Sequence, residues 1–407
     1  MDESKKPILR FKGFTENWEQ RQLSDYLETS TEKNLDNRYT KQDVLSVSGD
    51  VGIVNQIEFK GRSFAGASVA NYGVVHTGDM VYTKSPLSSN PFGIIKTNKG
   101  KTGIVSTLYA VYHTRENIYP NFVQNYFEQN ARLNNYLHPL VNKGAKNDMK
   151  VSDDNALKGE VIFPAYKEQK MISDYFSVLD KLISLHQRKY DKIVNVKKAM
   201  LEKMFPKDGS DVPEIRFDGF TGPWEQRKFE KLVTPYSDPI ATPTDGYFRL
   251  GIRSHAKGTF HSYVEPGKEL ETAQMHKVAA DKFIVNITFG WEHAVAITTG
   301  DDVGRLVSHR FPQFSFNEGN VPNYFKYLIL DEKFRHHLLL SSPGGAGRNR
   351  VLNLNQMLEY KFWITSKEEQ ERIATFMEQL DSIINLQQHR LEKLKNIKSY
   401  CMEKMFV

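Results

Sequence analysis

The segment LRFKGFTENWEQRQL, residues 9–23, returns almost unchanged as IRFDGFTGPWEQRKF at residues 215–229. Both copies place Arg-Phe-x-Gly-Phe-Thr and Trp-Glu-Gln-Arg in the same order, with the same gap between them. Shared composition does not produce a match of this kind. The chain therefore contains an internal duplication, with an offset of 206 residues (215 − 9) in this segment.

A second duplicated segment predicts a long helix in each repeat. Residues 168–205 read EQKMISDYFSVLDKLISLHQRKYDKIVNVKKAMLEKMF, and they align without gaps with EQERIATFMEQLDSIINLQQHRLEKLKNIKSYCMEKMF at residues 369–406. Neither copy contains Pro or Gly, so each can form one uninterrupted helix. At 1.5 Å per residue, such a helix is about 57 Å long.

Apolar residues recur three and four positions apart along both segments, with some sites skipped, which is typical of a heptad-like seam. The seam consists of Ile172, Phe176, Leu179, Ile183, Tyr190, Ile193, Met200 and Met204 in the first copy, and of Ile373, Met377, Leu380, Ile384, Leu391, Leu394, Cys401 and Met405 in the second. We predict that the two helices pair through these stripes. His186 and Gln387 interrupt the seams near their midpoints, which favours a polar layer that fixes register, with a pH-sensing histidine as the alternative. The seam alone leaves the relative direction of the helices open.

The regions outside the helices predict strand-rich domains. Short β-branched and aromatic runs such as VVHTGDMVYT (74–83) and FIVNITFG (283–290) are separated by Gly, Pro and Asn. We expect an α+β fold in which two strand-rich mixed domains are joined by two long helices, as a pseudo-two-fold internal repeat. The predicted boundaries are 1–163 for the first domain, 164–206 for its helix, 207–364 for the second domain and 365–407 for the last helix.

Composition places the chain among folded proteins of more than one domain, since its 407 residues are 39% hydrophobic and 12% aromatic. No run approaches the roughly 18 apolar residues that span a bilayer, and the first six residues are polar and charged. Cys401 is the single cysteine, which excludes a disulfide within the chain and favours a cytoplasmic location. The net charge of +6 permits a nucleic-acid partner without requiring one.

A search for catalytic motifs finds none that is complete. Asn90-Pro91-Phe92 is similar to the Asn-Pro-Pro-Phe/Tyr motif of amino-methyltransferases, but the second proline and an upstream Phe-x-Gly-x-Gly loop are missing. Seven of the twelve histidines lie between His255 and His337 without the spacing of metal ligands. The glycine-rich segment 343–350, PGGAGRNR, lacks the Gly-Lys-Ser/Thr ending of a phosphate loop. The sequence therefore predicts neither a catalytic site nor a metal site.

The loops that differ between the repeats carry side chains that suit the edges of DNA bases. Arg and Lys suit guanine, Asn suits adenine, and Glu accepts from cytosine. An ordinary surface role is the alternative for each residue. The candidates are Lys84, Ser85, Ser88, Ser89, Asn90, Lys143, Lys146 and Asn147 in the first repeat, and Arg249, Arg253, Ser254, His255, Lys257, Thr288, Trp291, Glu292, His293, Arg348, Asn349 and Arg350 in the second.

Two variable domains, each introduced by FxGFTxxWEQR and followed by a long gapless helix ending in EKMF, resemble the specificity (S) subunit of type I restriction-modification systems. The resemblance covers nearly the whole chain. It implies that each variable region is a target recognition domain that reads one half of a split, asymmetric sequence in double-stranded DNA. It also implies that the helices pair antiparallel, space the two domains and dock two methyltransferase subunits, which restriction subunits then join.

The same resemblance implies a non-catalytic subunit with no cofactor and no membrane partner of its own. S-adenosylmethionine, ATP and Mg²⁺ are then expected in the partner subunits. Two alternatives from other classes stay open: a self-contained DNA-modifying enzyme with a diverged site, and a coiled-coil adaptor that never touches DNA. Methyl transfer without any partner would indicate the first, and DNA binding that is insensitive to salt would indicate the second.

Overall fold

The chain folds into two units, each of which contains one copy of the duplicated framework. The structure is a computed structural model that describes residues 5–143, 149–207, 209–270, 272, 274–344 and 350–407, without the side chains of residues 142, 143, 149 and 150. Unit 1 comprises the described residues up to Arg188 together with His389–Val407, and unit 2 comprises Lys189–Gln388. Within the described ranges, no helix combines the length and the apolar character needed to cross a bilayer.

Unit 1 is rich in short strands. Its strands are β1 (Glu19–Gln22), β2 (Leu27–Thr29), β3 (Leu45–Ser48), β4 (Gly52–Asn55), β5 (Gly73–Val75), β6 (Met80–Thr83), β7 (Ile95–Thr97), β8 (Gly103–Val105), β9 (Tyr109–Thr114), β10 (Asn142–Lys143), β11 (Met149–Lys150) and β12 (Glu160–Phe163). Its helices are α1 (Gln56–Lys60), α2 (Pro120–Phe127), α3 (Asn130–Leu137) and the first part of α4 (Tyr166–Lys203).

The central sheet of unit 1 is antiparallel and has the strand order β2-β9-β6-β7. All four residues of β6, Met-Val-Tyr-Thr, are buried, so this strand lacks the alternation of exposed and buried positions that a sheet with one solvated face shows. An aromatic core lies beside the sheet, where the ring of Phe122 packs 6.2 Å from Trp18 and 5.7 Å from Phe406. Residue 406 follows the last helix, so unit 1 is completed by the C-terminal end of the chain.

Unit 2 is also rich in short strands. Its strands are β13 (Glu225–Lys228), β14 (Val233–Tyr236), β15 (Pro239–Ala241), β16 (Tyr247–Ile252), β17 (Thr259–Val264), β18 (Gln274–Lys277), β19 (Lys282–Val285), β20 (Val295–Ile297), β21 (Leu306–Val307), β22 (Gln313–Phe316) and β23 (Lys361–Ile364). Its helices are α5 (Phe229–Leu232), α6 (Pro322–Leu328), α7 (Glu332–Leu340), α8 (Leu354–Leu358) and most of α9 (Lys367–Lys404), together with the end of α4.

The topology of unit 1 recurs in unit 2. The sheet β14-β22-β19-β20 repeats the order of β2-β9-β6-β7, and the pair β13-β23 repeats β1-β12. Unit 2 also contains a five-stranded sheet of order β15-β18-β21-β16-β17, in which only β16 and β21 run parallel. The structure thus confirms the predicted α+β class, with strand-rich sheets in both repeats.

A buried ion pair explains why the Arg-Phe-x-Gly-Phe-Thr segment is repeated. Arg10 donates two hydrogen bonds of 2.7 Å to the carboxylate of Glu168, and Arg216 makes the same two bonds to Glu369. Both glutamates are only 1% exposed. We call each pair an Arg–Glu clamp. Each clamp fastens a duplicated segment to the start of the long helix in its own repeat.

The long helices pair antiparallel. In unit 1, the hydroxyl of Tyr175 lies 3.5 Å from Cys401 Sγ, and Asp180 accepts a hydrogen bond of 2.9 Å from Lys398. In unit 2, Lys197 forms an ion pair with Asp381. The partner numbers in α9 fall as the numbers in α4 rise, so the predicted pairing and the direction implied by the resemblance are confirmed.

The predicted seam positions differ in burial. His186, in the predicted polar layer, is half-buried, and its counterpart Gln387 is buried. Buried seam residues are Ile172, Phe176, Leu179, Met204, Ile373, Met377, Leu391, Cys401 and Met405, and half-buried ones are Ile183, Tyr190, Ile193, Met200, Leu380, Ile384 and Leu394. The seam is therefore most tightly packed where it joins the core of a unit.

Candidate nucleic-acid interface

Two loops in equivalent positions of the repeats carry many of the candidate residues. Loop 84–94 joins β6 to β7 in unit 1, and loop 286–294 joins β19 to β20 in unit 2. The first contains Lys84, Ser85, Ser88, Ser89 and Asn90, and the second contains Thr288, Trp291, Glu292 and His293. Residues selected from the sequence by side-chain type thus fall on the same position of a shared scaffold.

In unit 1, loop 84–94 is held by contacts from two later segments. The ammonium group of Lys84 donates to Asp153 at 2.7 Å, and Asn134 Nδ2 donates to the backbone carbonyl of Ser89 at 3.0 Å. Ser88 and Ser89 are exposed, and Ser85 is half-buried. Asn90 lies beneath the loop at 6% exposure, so its amide faces the interior. Lys143 belongs to β10, but its side chain lies outside the described residues, as do Lys146 and Asn147 entirely.

In unit 2, Trp291 organises the tip of loop 286–294. Its indole Nε1 donates to the carbonyl of Thr288 at 3.2 Å, and Thr288 Oγ1 donates to Asn286 Oδ1 at 2.7 Å. The guanidinium carbon of Arg350 lies 5.7 Å from the centre of the Trp291 ring, within the range of a cation–π interaction. The structure therefore brings Arg350 to this loop, whereas Arg348 and Asn349 lie outside the described residues.

The connection between β16 and β17, residues 253–258, is bonded to loop 286–294. Ser254 Oγ donates to Glu292 Oε2 at 2.6 Å. The backbone N–H groups of His255 and Ala256 donate to the carbonyls of Glu292 and His293 at 2.9 and 2.8 Å. Candidate residues that are almost 40 positions apart in the sequence are thus joined in one surface, which we call the unit 2 reading surface (residues 249–257, 286–293 and 350).

The backbone at this junction is strained. His255, Ala256 and His293 have φ values of +62°, +49° and +61°. They are three of the five non-glycine residues with positive φ in the described part of the chain, which shows that the strain is concentrated at this surface. Each such residue costs on the order of 1 to 3 kcal/mol and persists only where surrounding contacts determine it. The cross-loop hydrogen bonds supply those contacts.

His293 supports the junction from below. It is 3% exposed, and its Nε2 donates to the carbonyl of Ile329 at 2.7 Å. Burial lowers the pKa of this imidazole, which outweighs the opposing effect of the carbonyl partner. The ring is therefore neutral at pH 7 and holds the loop, while Arg253, His255 and Lys257 are exposed on the reading surface.

A cavity of about 400 Å³ lies beside the reading surface in unit 2. Its polar wall includes Arg249, which donates to Ser262 Oγ at 2.9 Å, and the bonded pair Ser254–Glu292. The ring of Phe260 forms part of the apolar wall and lies against Gly251, where a Cβ atom would come within 2.3 Å of the ring. A side chain at position 251 would therefore displace the Phe260 ring from its place in the wall.

Exposed aromatic rings under cationic side chains were not predicted from the sequence. Arg305 lies 5.2 Å from the centre of the exposed Phe248 ring, and in unit 1 Arg62 lies 4.8 Å from the exposed Phe64 ring. The segments FRLGIR (248–253) and FKGRSF (59–64) contain the signal, since alternating basic and aromatic residues are typical of surfaces that bind nucleic acid.

No group of three or more His, Cys, Asp or Glu side chains that could hold a metal ion is found among the described residues. The reading surface presents hydrogen-bonding and cationic groups instead. The carboxylate of Asp302 accepts hydrogen bonds from His261, Thr259 and Thr299. Burial raises the pKa of this carboxyl, but these hydrogen bonds outweigh burial and hold the pKa below its usual value.

Comparison with known families identifies the part of the chain that carries this surface. Residues 254–396 match the family model of the type I restriction modification DNA specificity domain. The match spans about a third of the chain. The matched segment contains the reading surface from Ser254 onward and most of helix α9.

The fold of the whole chain is also found in a solved structure. It is similar to the S subunit of a type I restriction-modification system from M. genitalium, with a TM-score of 0.59 and 11% sequence identity over 99% of each chain. An HsdS subunit from Thermoanaerobacter tengcongensis was also found, with a TM-score of 0.44 and 12% identity over 96% of each chain. At this level of identity, the M. genitalium structure shows that the fold is shared.

Proposed function

We propose that this chain is the DNA sequence-specificity subunit of a type I restriction-modification complex. The observation that carries the proposal is that most of the reading surface lies inside the segment matched by the specificity-domain model, on a scaffold that the first repeat shares. Residues 1–163 and 207–364 are then two target recognition domains, and each reads one half of a split DNA site. The DNA partner places the complex in the cytoplasm.

The two half-sites should differ in sequence, because the equivalent loops present different chemical groups. Loop 84–94 presents the exposed hydroxyl groups of Ser88 and Ser89, whereas loop 286–294 presents Trp291 and Glu292. Hydroxyl groups can donate hydrogen bonds to base edges, while a carboxylate only accepts. Two domains with such different groups favour an asymmetric bipartite site over a palindrome.

The exposed cations around the unit 2 reading surface suit the DNA backbone. Arg253 and Lys257 lie on the β16–β17 connection, and Arg249 lies on the adjoining strand. Contacts between such groups and phosphates fix the position of a protein on the duplex and release counterions. Base contacts from the neighbouring loop then provide sequence specificity.

The long helices α4 and α9 should set the distance between the half-sites and dock two methyltransferase subunits. Exposed apolar residues on each helix support docking. Val178, Leu182 and Leu185 on α4, and separately Ile383 and Leu386 on α9, are between 38% and 55% exposed. Apolar side chains exposed on a helix pair are suited to burial against a partner helix. Restriction subunits would join this assembly, and the partner subunits would bind S-adenosylmethionine, ATP and Mg²⁺. The chain itself is then non-catalytic.

Methylation mapping in the native host tests this proposal. Deletion of the gene should abolish adenine methylation at one asymmetric, bipartite motif and leave other methylation unchanged. The complex purified through a tag on this chain should bind duplex DNA with an affinity that falls steeply as salt rises. Methyl transfer by the isolated chain would indicate a self-contained enzyme, and DNA binding without salt dependence would indicate an adaptor.

A further inference from the structure

We propose that Glu292 selects the cytosine of one C·G base pair in a single half-site, and that Ser254 is the positioning residue for its carboxylate. The inference rests on the proposed function, because it assigns chemistry to the unit 2 reading surface. In this reading, the carboxylate accepts a hydrogen bond from the N4 amino group of cytosine in the major groove.

The carboxylate of Glu292 is only partly satisfied by the protein. Its Oε2 accepts from the Ser254 hydroxyl at 2.6 Å, and no other hydrogen bond to this side chain is found among the described residues. An ionised carboxylate has about four lone-pair sites and no proton to donate. Glu292 is half-buried in the wall of the 400 Å³ cavity, so its remaining acceptor capacity faces the space beside the loop.

The backbone that carries Glu292 is fixed before any ligand arrives. Its carbonyl accepts from His255 N at 2.9 Å, and the next residue, His293, is anchored by its ring to Ile329. The left-handed backbone of His255 and His293 is held in place by these same contacts. A preorganised group loses little entropy on binding. Because the loop is fixed, it does not rearrange to compensate for a base that lacks a donor, and such a base is rejected.

Cytosine fits a fixed carboxylate better than the other bases. In the major groove, cytosine N4 and adenine N6 carry amino groups, whereas guanine and thymine present acceptors that repel a carboxylate. Adenine also has the acceptor N7 beside its amino group, while the neighbour of cytosine N4 is a C–H group. Repulsion between Glu292 and the DNA phosphates is offset by the nearby cations Arg249, Arg253 and Lys257.

Selection from a pool of random DNA duplexes tests the inference directly. The complex purified through a tag on this chain is used as wild type and with Glu292→Gln, Ser254→Ala, Ser254→Thr or the control Glu318→Gln, an exposed glutamate of the same unit. The wild type and the control should enrich one bipartite motif. Glu292→Gln should reduce the preference for C·G at one position roughly tenfold or more and shift it towards A·T, because glutamine pairs with adenine.

The positioning role of Ser254 predicts a graded result. Ser254→Ala should weaken selection at the same base pair less than Glu292→Gln does, and Ser254→Thr, which keeps the hydroxyl, should restore it. A general loss of folding would instead weaken every position of the motif. The unaltered half-site therefore serves as an internal control in each experiment.

Several outcomes would overturn the inference. An unchanged motif with Glu292→Gln, or a wild-type motif whose affected position is not C·G, would show that Glu292 does not read cytosine, while the proposed function would stand. Failure of the wild type to enrich any bipartite motif would refute the proposed function itself. If Glu292→Gln binds no DNA, Glu292→Asp decides, because this variant keeps the carboxylate and must still select cytosine at that position.

Discussion

Removal of the Arg–Glu clamp of unit 2 should destabilise that unit severely. Arg216→Ala deletes both hydrogen bonds to Glu369, each 2.7 Å long. The carboxylate stays in a site that is 1% exposed, with the hydroxyl of Thr365 as its remaining side-chain donor among the described residues. The same ion pair raises the pKa of Arg216 above its usual value, which is a sign that the folded state favours the charged guanidinium.

Breaking a buried ion pair by removing one partner costs about 3 to 5 kcal/mol, because the other charge is left buried without compensation. Unit 2 contains about 200 residues, and 1 kcal/mol lowers the Tm of a domain of that size by roughly 2 to 4 °C. We therefore expect the unfolding transition of unit 2 to fall by roughly 6 to 20 °C.

A matched control comes from the same unit. Arg227 also donates two hydrogen bonds to a glutamate, Glu225, but these side chains are 53% and 67% exposed. Arg227→Ala should cost no more than about 1 kcal/mol, because solvent screens exposed pairs. Differential scanning calorimetry of both variants measures the difference. Equal Tm values for Arg216→Ala and Arg227→Ala would refute the role of the buried clamp.

Three further perturbations have defined outcomes. Gly93→Ala should lower the stability of unit 1 by roughly 3 kcal/mol or more in urea unfolding, because φ is +90° and the new Cβ would lie 1.9 Å from the backbone carbonyl oxygen of Thr83. The control Gly100→Ala should change the stability by less than about 1 kcal/mol. Because burial lowers the pKa of His293, the unfolded state binds more protons than the folded state, and unit 2 should lose stability as pH falls below about 6.5. Urea midpoints at pH 7.5 and 5.5 measure this loss, and His293→Gln should remove it. Ile172→Ala should cost about 2 to 5 kcal/mol by thermal unfolding, and Ile183→Ala should cost clearly less because its side chain is half-buried.

The helices and the fold class could be predicted because their signals are local. A gapless 38-residue repeat without Pro or Gly determines a long helix, and its three-and-four spacing identifies the face that is buried. The two residues of each Arg–Glu clamp are far apart in the sequence, by 158 positions in unit 1 and by 153 in unit 2. No local sequence pattern predicts such a pairing. The clamps therefore became visible only in the structure.

The reading surface was predictable in part. Side-chain type selected residues on loops 84–94 and 286–294, which occupy equivalent positions in the two units. Burial decides which of these residues can face a ligand. Asn90 and His293 are both buried, and the ring of His293 is bonded to the carbonyl of Ile329, 36 positions away in the sequence. Residue type alone cannot distinguish an asparagine or a histidine on the surface from one that supports a loop.

The order in which the chain leaves the ribosome has a consequence for the two units. Unit 2 is one continuous segment, Lys189–Gln388, whereas unit 1 combines the N-terminal part of the chain with His389–Val407. The ring of Phe406 packs 5.7 Å from Phe122 in unit 1, so that aromatic core is incomplete until residues 389–407 have been synthesised. The half that is made first must therefore finish folding last. A nascent chain arrested before residue 389 should contain a protease-resistant second unit and a first unit that is still susceptible to cleavage.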